Sequence, residues 1–143
     1  METSRILIVD DFDGWRHAVH SIFQTRPELQ IVAEAVDGAE AVEKARQLKP
    51  DMILLDIGLP KLNGIMAAKL IAEVSPTSKI LFVSETNDPD LVQGALNTGA
   101  WGFVRKSTAG RELIPAVLAA LRGVRTNSYE GCLRPHGGIG LGN

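Results

Sequence analysis

The chain has one cysteine, Cys132, among 143 residues, so no disulfide can form within it. A reducing compartment fits that usage. Aromatic residues are sparse at 5%, and no apolar run approaches the roughly 20 residues needed to span a membrane. Residues 1–5 lead into four apolar residues that an aspartate pair stops, too short a run for the core of a signal peptide. Lysine and arginine number 15 against 17 acidic residues, a formal charge of −2. That balance lacks the basic excess that drives non-specific nucleic-acid binding. A cytoplasmic globular protein with no membrane contact is the expectation.

Hydrophobic residues make up 45% of the chain, enough for a core, and their placement carries the information. Ile6, Leu7, Ile8 and Val9 form a run without polar alternation, as in a strand covered on both faces. Residues 15–24 then repeat apolar side chains at helical spacing (Trp15, Ala18, Val19, Ile22, Phe23) until Pro27. The same alternation recurs. Strands are expected at 30–36, 52–55, 79–83 and 101–104, and helices at 39–48, 65–74, from 89, and after Ser107 or Thr108. Asp37 and Asp88 are placed as helix caps, with Pro89 at a first helical position. Pro115 lies inside the last helix and is expected to bend it. Strand–helix units repeated about five times predict a parallel sheet with helices on both faces. A flavodoxin-like strand order, 2-1-3-4-5, and a Rossmann half both satisfy that pattern. From 124 to 143 the chain turns glycine-rich and loses apolar period. It is read as a flexible tail behind a single domain at 1–123.

Polar residues interrupt the apolar runs at chosen points. The first strand ends in Asp10 and Asp11, the third in Asp56, the fourth in Ser84, and the fifth leads into Lys106. In a doubly wound sheet ligands bind at the carboxyl ends of strands beside the topological switch point. Two carboxylates about 5 Å apart repel by roughly 3 kcal/mol at an effective dielectric near 20. Three together either take up protons or recruit a cation. Oxygen ligands favour a hard cation, and few protein ligands with several waters favour Mg²⁺. A metal with open positions can also hold a phosphoryl group. Ser84 and Lys106 would then bind phosphoryl oxygens, and Asp56 would be the nucleophile that becomes an aspartyl phosphate.

Five segments carry a resemblance over about residues 5–123. They are Ile8-Val9-Asp10-Asp11, the run from Asp51 to Pro60 containing Asp56, Asn63-Gly64, Phe82-Val83-Ser84, and Gly102-Phe103-Val104-Arg105-Lys106. Together they resemble response regulator receiver domains (CheY-like), and the Asp56 to Ile65 pattern is similar to the receivers of NarL/LuxR-type transcription regulators. The resemblance implies a flavodoxin-like (βα)5 three-layer sandwich with parallel sheet order 2-1-3-4-5. It implies Mg²⁺ held by Asp11, Asp10, Asp56 and the backbone carbonyl of Gly58. Phosphorylation would fall on Asp56, from a partner sensor histidine kinase contacting the first helix near Trp15 and His17. Ser84 would move toward the phosphoryl group and Phe103 would turn inward. The surface of the fourth helix, fifth strand and fifth helix would change in consequence. Output would pass to a partner, to a homodimer, or to DNA through an effector domain not present in this chain. Ser107 stands where many receivers have proline, and Met66 where relatives often have glutamate.

Plainer readings compete. Asp10 and Asp11 could cap a helix, and Asp13 reads as an ordinary first-turn acid. His17 and His20, three apart on a helix, read as solvated surface. Trp15 reads as half-exposed near the site, Trp101 as packing, and Phe103 could be plain core. The run Gly137 to Gly140 follows no strand and precedes no helix, so it is not a phosphate loop. An Mg²⁺-dependent phosphatase with an aspartyl nucleophile is a second reading. There the acid two residues past the nucleophile commonly serves as general acid, and Gly58 cannot donate a proton. A pseudo-receiver that binds partners without phosphorylation is a third, against which the intact acidic set argues.

Overall fold

A computed structural model describes residues 2–127. Residues 128–143, with Cys132 and the run Gly137 to Gly140 and most of the segment expected to be a flexible tail, lie outside them. The elements are β1 (Ser4–Val9), α1 (Asp13–Phe23), β2 (Leu29–Ala35), α2 (Gly38–Leu48), β3 (Met52–Leu55), α3 (Gly64–Val74), β4 (Lys79–Ser84), α4 (Pro89–Leu96), β5 (Gly102–Arg105), α5 (Ala109–Leu121) and β6 (Thr126–Asn127). A single 3₁₀ turn, Lys106–Thr108, joins β5 to α5.

The strands pair in parallel in the order β2-β1-β3-β4-β5-β6, so the expected 2-1-3-4-5 order holds with one short strand added. Successive side chains of a strand point to opposite faces. Leu7, Val9, Ile53, Leu55, Phe82 and Phe103 therefore face one way, onto α2, α3 and α4. Ile6, Ile8, Met52, Leu54, Leu81, Val83 and Val104 face the other way, onto α1 and α5. Every residue of β3 is buried, while β2 at the sheet edge alternates between buried and open positions. That difference explains why β3 reads as an unbroken apolar run and β2 does not. Small residues let α2 and α3 lie close to the sheet, with Ala41, Ala45, Ala67, Ala68 and Ile71 all buried. Among the described residues no helix is long and apolar enough to cross a membrane.

Local expectations meet mixed outcomes. Asp37 caps α2, its carboxylate accepting from the Glu40 N–H at 2.7 Å, and Asp88 caps α4 ahead of Pro89. Thr108 sits at the cap position of α5 but makes no capping bond. Its hydroxyl bonds Glu112 Oε1 at 2.8 Å instead, and the 3₁₀ turn leads the chain into the helix. α5 continues through Pro115, which lies on its exposed side. All described peptide bonds are trans, Lys106–Ser107 included. Residues 126–127, expected within the tail, pair with β5. The Thr126 N–H donates to the Trp101 carbonyl at 3.1 Å, continuing the sheet beyond β5. Arg125 donates to the carbonyls of Gly99 (3.0 Å) and Ala100 (2.6 Å). Its guanidinium also lies 4.1 Å from the Trp101 ring centre. These contacts are non-local, so composition and period did not reveal them.

Gly64 sets how closely the start of α3 approaches the Asp56 loop. A Cβ on Gly64 would stand 1.9 Å from the carbonyl oxygen of Asp56, in backbone that cannot rotate away. Gly64→Ala should cost about 1–3 kcal/mol of unfolding free energy in urea titration. Gly94→Ala, whose Cβ would meet only the tip of Ile65 at 3.4 Å in mid-helix, should instead gain roughly 0.5–1 kcal/mol.

Candidate functional site

Parallel strands in register bring their carboxyl ends to one edge, and the side chains just past those ends share one open pocket of about 460 Å³. Asp10 follows β1 and still donates its N–H to the Ala35 carbonyl of β2 at 3.0 Å. Its Oδ1 accepts from the Phe12 N–H at 2.9 Å. Its Oδ2 lies 2.7 Å from Lys106 Nζ, a charge contact without a well-directed hydrogen bond. Asp56 follows β3, and its N–H donates to the Val9 carbonyl at 3.1 Å. Its Oδ1 accepts from the Ile57 N–H at 2.8 Å and its Oδ2 lies 3.5 Å from Lys106 Nζ. Asp11 stands exposed on the loop beside them. One carboxylate oxygen from each of Asp10, Asp11 and Asp56 lies within 4.8 Å of the others. Ser84 closes β4, buried, with its hydroxyl accepting from the Thr86 N–H at 3.3 Å. Gly58 lines the same pocket.

Lys106 enters from the turn after β5. Its side chain is only 10% exposed, and its Nζ lies 5.3 Å from the Trp15 ring centre. The sequence placed Trp15 near the site but not against this ammonium. Phe103 does not line the pocket. It is fully buried, its ring 6.3 Å from that of Phe82 with the planes 25° apart, so it already occupies an inward position. His20 pairs with Glu34 at 2.6 Å and not with His17. Arg16 was missed altogether, although a lone cation one helical turn past Asp13, next to an acidic loop, was a signal.

The charges frustrate one another. Burial raises the Asp10 carboxyl above its ordinary value. The Lys106 ammonium and the Phe12 N–H oppose the rise, and the nearby Asp56 charge adds to it. Burial pulls Lys106 down, but the carboxylates of Asp10 and Asp56 outweigh it and hold the ammonium above its usual range. Three carboxylates against one ammonium leave a formal deficit of two positive charges. At 4.8 Å each carboxylate pair repels by about 3.5 kcal/mol for an effective dielectric near 20. An all-oxygen set with that deficit fits a hard divalent cation.

A doubly wound α/β domain with an acidic, ammonium-capped pocket at its strand ends is the class that fold and site define. The family model described as the response regulator receiver domain matches residues 6–118, and the chain belongs to that family. It is 38% identical over 119 residues to the transcriptional regulatory protein LnrK of Bacillus subtilis, covering 83% of this chain and 54% of that one. It is 40% identical over 124 residues to a protein-glutamate methylesterase/protein-glutamine glutaminase of Thermotoga maritima, covering 82% and 36%. Among solved structures, a LuxR-family two-component response regulator from Aurantimonas sp. SI85-9A1 superposes with a TM-score of 0.82 at 34% identity, covering 87% of this chain and 89% of that one. The chain thus spans about half or less of the curated relatives' length. Receiver domains are signalling modules of two-component systems, and phosphorylation on aspartate with Mg²⁺ binding is typical of them.

The raised carboxyl gives a pH signature. Between the unfolded Asp value and the higher folded one, the native state holds more protons than the unfolded chain. Metal-free stability therefore falls as pH rises through that window. Asp10→Asn keeps the Phe12 N–H bond and removes the charge. At pH 7 without metal it should be more stable than the wild type in urea titration, with the advantage shrinking as pH falls through the raised folded value and gone below about pH 4.

Proposed function

We propose that Asp56 accepts a phosphoryl group from the phosphohistidine of a sensor histidine kinase, and that this modification switches the domain. The observation that carries the reading is the pairing of Asp56 with Lys106 inside the acidic pocket. With Oδ1 held by the Ile57 N–H at 2.8 Å, the other carboxylate oxygen is presented to the pocket for attack on phosphorus. The new O–P bond forms as the P–N bond breaks, and the imidazole leaves with a proton from solvent. Lys106 and the Ser84 hydroxyl receive the phosphoryl oxygens. Asp10, Asp11, Asp56 and the Gly58 carbonyl are the ligands for Mg²⁺, which when bound neutralises the carboxylates and the incoming phosphoryl charge.

Switching follows from the charge brought in. Ser84 moves toward the phosphoryl group, loosening its bond from the Thr86 N–H, and β4 transmits the shift to Phe103 across the Phe82 stack. The face of α4, β5 and α5 then changes for a partner or a second copy. Any action on DNA belongs to an effector domain outside residues 2–127. The kinase contacts α1 on the side of Trp15 and His17, in the cytoplasm. The domain is no turnover enzyme, though it assists its own phosphorylation and dephosphorylation. A phosphatase reading is not favoured, because Gly58 offers no general acid two residues past Asp56.

Incubation with acetyl phosphate and Mg²⁺ should add one phosphoryl mass to the intact protein. Asp56→Asn, or wild type with excess EDTA, should gain none. Equal labelling of Asp56→Asn would place the acceptor elsewhere and end the proposal.

A further inference from the structure

Helix α1 begins beside the acidic loop with Phe12 at its cap position, and no side chain caps it. Something other than a cap holds the backbone that carries Asp10 and Asp11. Arg16 is placed to do so. Its Nη1 donates to the Asp10 carbonyl at 2.7 Å, its Nη2 to Asp13 Oδ1 at 2.9 Å, and its Nε to Glu34 Oε1 at 2.7 Å. The guanidinium thus joins the end of β1, the first turn of α1 and strand β2. Its side chain is only 13% exposed. Glu34 is itself held, its other oxygen 2.6 Å from His20 Nε2. Three nitrogens in one rigid plane reach three acceptors, which an ammonium cannot reproduce.

We propose that Arg16 is a positioning residue for the divalent-ion site, fixing the loop at 10–13 so that the Asp10 and Asp11 carboxylates converge with Asp56. The inference rests on the Mg²⁺ reading above. Arg16 touches neither the pocket's carboxylate oxygens nor Lys106 in any contact the structure shows. Its effect therefore passes through the Asp10 backbone and the helix start. Groups that orient metal ligands commonly change affinity by 10–100-fold when removed. Arg16 contributes a positive charge near the site, and that charge by itself weakens cation binding. The two causes have opposite signs: removing a nearby cation favours Mg²⁺, whereas loosening the loop weakens it.

The experiment is Mg²⁺ titration by calorimetry on the 143-residue chain, alongside the Mg²⁺ concentration giving half-maximal labelling by acetyl phosphate. For Arg16→Gln, Mg²⁺ affinity should fall about tenfold, while labelling at saturating Mg²⁺ stays close to wild type. Arg16→Lys should recover little, since the charge returns without the fork. Glu34→Gln should move Mg²⁺ affinity the same way by about two- to threefold, a loss that persists at high salt, where the missing Glu34 charge is screened, and it serves if Arg16→Gln does not fold. Asp11→Asn reports on the underlying reading. If the wild type binds Mg²⁺, Asp11→Asn does not, and Arg16→Gln and Glu34→Gln match the wild type, only the positioning role is overturned. Full rescue by lysine would also overturn it, showing that the planar fork is not needed, and so would tighter Mg²⁺ binding in Arg16→Gln, showing that charge alone acts. If the wild type binds no Mg²⁺, the site reading falls and this inference with it.

Discussion

The contact between Lys106 and the two buried carboxylates is the constraint on which the rest of the site depends. Asp10 is almost wholly buried and Asp56 nearly so, yet three carboxylates share their corner of the molecule. Burial pushes the Asp10 carboxyl toward its protonated form, and the ammonium 2.7 Å away opposes that rise while lying 3.5 Å from Asp56. With it, the pocket remains anionic and short of positive charge. That residual demand matches the charge of one divalent ion, which would also offset part of the negative charge that a phosphoryl group brings in.

The fold serves this contact by geometry more than by stability. Lys106 is carried by a short turn after β5, Asp10 and Asp56 by the ends of β1 and β3, and the parallel ladder keeps those ends level. Gly64 lets the start of α3 fold tightly against the Asp56 backbone. The Trp15 ring lies 5.3 Å from the Lys106 ammonium, and Arg16 braces the acidic loop through the Asp10 carbonyl. The same helix α1 thus supplies both a ring beside the ammonium and a fork behind the carboxylates. The surface that would meet a kinase and the interior that would hold the ion are therefore mechanically continuous.

The far edge of the sheet carries a second arrangement. Residues 124–127 return alongside β5, with Arg125 bound to the carbonyls that follow α4 and stacked on Trp101. A Cβ on Gly102 would stand 2.4 Å from the Thr126 carbonyl oxygen, so the close approach of this segment uses the missing side chain. β5 is thereby covered at one end, on the flank through which the proposed switch would act.

Much of this was legible in the chain. Apolar runs about four residues long, and a mixed segment at the second strand, alternating with helical periods, determined the (βα)5 architecture. The polar residue stopping each run marked Asp10, Asp11, Asp56, Ser84 and Lys106 for one edge. Those signals are local; crossover rules left a flavodoxin-like order and a Rossmann half both open, and the order 2-1-3-4-5 came from the resemblance to receiver domains. Only the tertiary structure decided that Lys106 sits closer to Asp10 than to Asp56, that Phe103 already lies inward, that Arg16 reaches Glu34 on β2, and that residues 124–127 join the sheet. Each of these depends on where side chains from distant segments end up within a few ångströms of one another. Periodicity places a residue on a face, but it does not measure the distance across to the next element.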